Sequence, residues 1–93
     1  MPSLDSLLEC LQIAEAALAR RGAPRKRYEE ARRFLRPLNP DNMPTKGATA
    51  ALQPILAFTL LHPHAGSVTA EDLRQLQAQV AELRQLIELR FGL

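Results

Sequence analysis

Cysteine is almost missing from this chain. Cys10 stands alone, so no internal disulfide can staple the fold, and one thiolate cannot form a metal cage. Tryptophan is absent and the aromatics number four, which leaves little for base stacking or an aromatic binding cage. β-Branched residues are also sparse, so a sheet is disfavoured. No apolar run reaches the roughly eighteen residues that a bilayer crossing requires. The longest, Ala48 to Leu61, is interrupted by Gln53 and Pro54. The opening MPSLDSLLEC lacks a basic stretch ahead of an apolar one, so it does not read as a secretory signal. These absences predict a reduced, soluble, cytoplasmic protein with no membrane association.

What remains is rich in Leu and Ala, both strong helix formers. Hydrophobic residues make up 46% of the 93 positions, too many for a disordered chain. The length suits one domain, with a core so small that a monomer has only marginal stability. An all-α fold is predicted: a small four-helix, bundle-like single domain with an N-terminal helical hairpin and a long amphipathic C-terminal helix.

The first helix is expected over about residues 3–21. Leu4, Leu7, Leu8, Leu11, Ala14 and Leu18 fall on one arc, with Cys10 and Ala17 at its edge. Ser3 suits the N-cap, or Ser6 with Glu9 forms a capping box one turn later. Arg20 and Arg21 complement the helix dipole in the last turn, and Gly22 fits the left-handed position that follows. Pro24 can open a second helix, because a first-turn N–H has no helical partner to lose. That helix runs to about Arg36, where Pro37 stops it. Tyr28, Ala31, Phe34, Leu35 and Leu38 form its apolar side. Residues 37–47, with three prolines, form a loop.

The third segment is ambiguous. GATAALQPILAFTLLHPH shows no polar face, which fits a buried central element. Either one kinked helix spans 48–62, or a loop precedes a short helix starting at Pro54; a short buried strand is the third option. The last helix, 69–91, is better marked. Thr69 caps it, Glu71 and Asp72 sit in its first turn, and Val68 with Leu73 can form a hydrophobic staple. Gly92 closes it. At 1.5 Å per residue it is roughly 33 Å long.

Two features bear on function. Leu73, Leu76, Val80, Leu83 and Ile87 recur at alternating spacings of three and four, the seam of a coiled coil. The same spacing also fits an ordinary core-facing helix. Leu86, Leu89 and Phe91 lie partly outside that stripe. Burying each is worth about 1.5–3 kcal/mol, which favours a homodimer of two-fold symmetry. Leu73, Leu76, Val80, Leu83, Leu86, Ile87 and Phe91 are therefore candidates for dimerisation or helix packing.

The second feature is charge. Residues 20–36 carry eight basic and two acidic side chains, whereas the rest of the chain carries four and eight. Arg25, Lys26, Arg32, Arg33 and Arg36 project from one side of the second helix. Such a face can contact an acidic protein, neutralise nucleic-acid phosphates, or simply keep the helix wet. Glu29 and Glu30 interrupt it, no aromatic accompanies it for stacking, and no recognition helix follows. A protein partner is preferred to nucleic acid.

Other chemistry is poorly supported. His62 and His64 lack the further ligands that zinc needs. The chain has no glycine-rich phosphate loop or nucleophile elbow, and Cys10 sits on a leucine-rich arc. The expectation is a non-catalytic interaction protein without cofactor or metal, with nucleic-acid binding as the alternative.

Overall fold

A computed structural model describes residues 4–91, so Ser3 and Gly92, expected to bound the first and last helices, lie outside it. Four α-helices follow one another: α1 (Leu4–Ala19), α2 (Pro24–Leu35), α3 (Lys46–Leu61) and α4 (Ala70–Phe91). Single 3₁₀ turns at Pro40–Asn42 and Ala65–Ser67 break the two longer connections, and the described residues contain no strand. The all-α, bundle-like fold read from composition is the fold observed.

Local chemistry accounts for most of the boundaries. α1 already includes Ser6 and stops at Ala19, so Ser6 is not its cap, and Arg20 and Arg21 stand beyond its last turn. Arg27 of α2 supplies the missing cation by donating its Nε–H to the Leu18 carbonyl over 3.1 Å, with a second guanidinium N–H on the same oxygen. Gly22 takes φ +133°, a region that side chains with a Cβ avoid, and the chain reverses there. Ala23 is extended, the conformation favoured before proline, and Pro24 opens α2. At α4 the cap is reciprocal. The Asp72 N–H donates to Thr69 Oγ1 over 3.1 Å, and the Thr69 N–H donates to Asp72 Oδ2 over 3.0 Å. Val68 and Leu73 are both buried beside this cap.

α3 is one continuous helix from Lys46 to Leu61, not a short helix starting at Pro54 and not a strand. Its N-cap is Thr45, whose Oγ1 accepts from the Ala48 N–H over 3.0 Å. Nor is α3 the buried centre. It buries Ala48, Leu52, Ile55 and Phe58 and exposes Ala50, Pro54 and Ala57 on the other side. Pro54 explains this orientation. It has no N–H for the Ala50 carbonyl one turn back, and an unpaired carbonyl needs water. Ala50 and Pro54 therefore face outward.

The central helix is α4, which packs against both α1 and α3, while α2 packs on α1 and against the Ala65–Ser67 turn. Because α1 is covered on two sides, its buried arc is wider than its leucine spacing suggests, and Ala17 is fully enclosed. Tyr28 ties α2 to the end of α3. It is fully buried, donates its hydroxyl to the His62 carbonyl over 2.7 Å, and meets Phe58 edge-on at 5.7 Å. Burial raises the Tyr28 phenol above its usual range, partly offset by the nearby Arg32 charge.

Candidate interaction surfaces

The basic residues of α2 share a side but not a role. Arg32 donates to the Pro63 carbonyl over 2.5 Å, which stitches α2 to the α3–α4 connection. Arg25 pairs with Glu29 at 3.4 Å, and Arg20 with Glu30 at 2.6 Å. Lys26, Arg33 and Arg36 are exposed and make no such contact within the described residues. Arg32, Arg33 and Arg36 line a shallow dimple together with Glu29. An incoming anion would thus meet a carboxylate in the middle of the cationic surface. Glu29 and Glu30 interrupt the charge in space as they do in sequence.

The α4 seam turns inward. Leu73, Leu76, Val80, Leu83 and Ile87 are enclosed by the chain's own helices, so of the two roles open to them they take helix packing. Leu86 and Phe91 remain 39% and 45% exposed, and Leu89 is 81% exposed. Two further leucines join these: Leu60 and Leu61, at the end of α3, are 81% and 77% exposed. Periodicity could not flag them, because α3 has no polar face to tell its two sides apart. The available signals were Pro54, which fixes the outward side, and the stretch from Gly47 to Leu61, which holds no charged residue.

α1 and α4 are joined by an ion pair with no sequence signature. Arg84 reaches Glu15 over 2.6 Å and Glu88 over 2.8 Å. Hydrogen bonds to Glu15, then to Glu88, hold the guanidinium's proton even more tightly than usual. The three side chains are mostly covered and serve to join the two helices.

The α3–α4 connection gathers Ser67, His62 and Asp72, a set that invites comparison with a serine–histidine–acid triad. Its members are held by the backbone around them. Ser67 Oγ donates to the His64 carbonyl over 3.1 Å and also lies 3.2 Å from His62 Nδ1. Asp72 is held by Thr69, whose hydrogen bonds, followed by a contribution from His62, keep its carboxyl below the ordinary range. The trio fixes a loop and a helix start. His62 is the C-cap of α3, and Cys10 lies half-buried on α1.

Comparison with family models, curated proteins and solved structures finds no match to this chain. The surfaces themselves are therefore the guide to function. One is a basic face partly neutralised by its own helix and loop. The other is an uncharged face on α3, continued by leucines near the end of α4. Among the described residues no helix is long and apolar enough to cross a membrane.

Proposed function

We propose that this chain is a small, soluble, cytoplasmic and non-catalytic protein–protein interaction module: a regulator, adaptor or assembly factor that works as a homodimer. The observation that supports this reading is the exposure of Leu60, Leu61, Leu86, Leu89 and Phe91 on a 93-residue chain. Large apolar side chains held in water favour association: covering a fully exposed one is worth about 1.5–3 kcal/mol, and covering the rest of the half-exposed Leu86 and Phe91 is worth less. A domain this small has no further interior to offer them.

Within the dimer, α2 is left free to meet a second, acidic protein through Lys26, Arg33 and Arg36. Light scattering across a dilution series tests the dimer. Twice the 10.4 kDa chain mass, falling toward one chain mass on dilution, is the expected outcome. A single-chain mass at every concentration overturns the proposal.

A second reading, nucleic-acid binding, draws on the same three unpaired cations. It expects affinity for DNA or RNA that falls steeply with salt and is lost when Arg33 and Arg36 become Glu. The absence of any gel shift at low salt removes it.

A further inference from the structure

The spacing that marks the buried seam of α4 occurs a second time, on the outside of α3. Gly47, Ala50, Pro54, Ala57 and Leu61 follow one another at intervals of three, four, three and four, and all five are exposed. At about 100° per residue they form one narrow stripe along the helix. In α4 this spacing serves to keep one stripe against a neighbouring helix. In α3 no helix among the described residues lies over it.

The stripe is graded in size. It is broad at Leu61 and without a side chain at Gly47, with Ala57 and Ala50 on either side of the Pro54 ring. A Cβ placed at Gly47 would meet nothing nearer than Thr45 Oγ1 at 3.9 Å, so the space above it is open. A helix carrying a large residue at one end and none at the other is complementary to itself when reversed. Leu61 of one copy then lies over Gly47 of the other, and Pro54 meets Pro54 at the centre. This is the arrangement that a two-fold axis across the helix produces.

Charge points the same way. After Lys46 the helix has no ionised group, and covering it with a charged surface would strand that partner's charges away from water. A second copy of the same stripe brings none. The groove beside the stripe adds Gln75 and Gln79 of α4 to Pro54, Ala57 and Leu61. In that register α3 and α4 run antiparallel, which puts Leu86 and Leu89 toward the start of α3. The reversed partner brings its Leu60 and Leu61 to that same end.

We propose that the outer face of α3, flanked by Leu86 and Leu89, is a two-fold self-interface that receives the same face of a second copy. This rests on the homodimer reading above and says which surface makes the dimer. The test combines the unmodified chain with two variants. Ala57→Arg places a charge on a position already in water, so helix content by circular dichroism should be unchanged while the light-scattering mass halves. Pro54→Cys, in a Cys10→Ser background, restores the missing helical N–H and puts a thiol at the two-fold axis. It should cross-link to itself in high yield under mild oxidation, whereas Arg33→Cys on α2 should not. If the unmodified chain is dimeric but Ala57→Arg stays dimeric and Pro54→Cys fails to cross-link, the assigned face is wrong and the homodimer reading survives. If the unmodified chain is monomeric throughout, both fall. Should Ala57→Arg lose its helix content, the cross-linking pair decides alone.

Discussion

α2 and α3 are both short helices with one side in the core, yet they treat water differently. The outer side of α2 carries Arg25, Lys26, Arg33 and Arg36, and its inner side Tyr28, Ala31 and Leu35. The outer side of α3 carries Ala50, Pro54, Ala57 and Leu61, scarcely more polar than the Ala48, Leu52, Ile55 and Phe58 that it buries. The lesson is that burial and hydrophobicity separate once backbone chemistry enters. α2 is oriented by its side chains. α3 is oriented by a proline that must leave a carbonyl to solvent, and an apolar face is left in water as the consequence.

The contrast breaks most visibly on the inner side of α3. Leu52→Ala removes a fully buried side chain and should cost about 2–5 kcal/mol, a large share of a small domain's stability. Leu61→Ala, on the exposed side, should change the unfolding free energy of a single chain by less than about 0.5 kcal/mol. Urea titrations of the two variants, compared at a concentration where no dimer forms, check this. Equal losses would mean that α3 has no distinct outer side.

Smaller effects test how α2 and α3 are tied together. Tyr28→Phe keeps the ring against Phe58 but leaves the His62 carbonyl without its donor, with an expected cost of about 1–3 kcal/mol. Arg33→Glu, on the same helix but in water, should stay within about 0.5 kcal/mol. Glu15→Gln weakens the partly covered pair with Arg84, and about 1 kcal/mol is expected. A urea midpoint unchanged for Glu15→Gln would show that the α1–α4 contact is apolar alone.

The smallest effect is one of pH. The Asp72 carboxyl sits below its ordinary value of 3.8 in the folded protein, so it adds stability above that pH and loses it as acid protonates the folded group. The stability gap between the native chain and Asp72→Asn should be full near neutrality and close as the pH falls below about 4. A gap that persists in acid would show that the cap acts through geometry rather than charge.

Much of this architecture was legible in the residues. The leucine arc of α1, the Pro24 start, the Thr69–Asp72 cap and the three-four rhythm of α4 each carry a local physical cause, and the helices lie where those causes place them. The centre of the bundle was not legible. α3 looks buried because its few polar residues form no polar face, and hydrophobic periodicity is silent when neither side is marked by charge. Arg84 and Glu15 are 69 positions apart, so no local rule brings them together. On the surfaces, the basic face of α2 was visible at once, but its partial neutralisation by Glu29, Glu30 and the Pro63 carbonyl depends on folding. The α4 seam was visible too, and only packing could show that it faces inward while its counterpart on α3 faces out.

The most direct test of the account follows backbone amide signals of the native chain by nuclear magnetic resonance from the micromolar to the millimolar range. Concentration-dependent shifts should concentrate on residues 47–61 and 86–90, with 24–36 unmoved. Shifts centred on α2, or a spectrum that does not change with concentration, would contradict it.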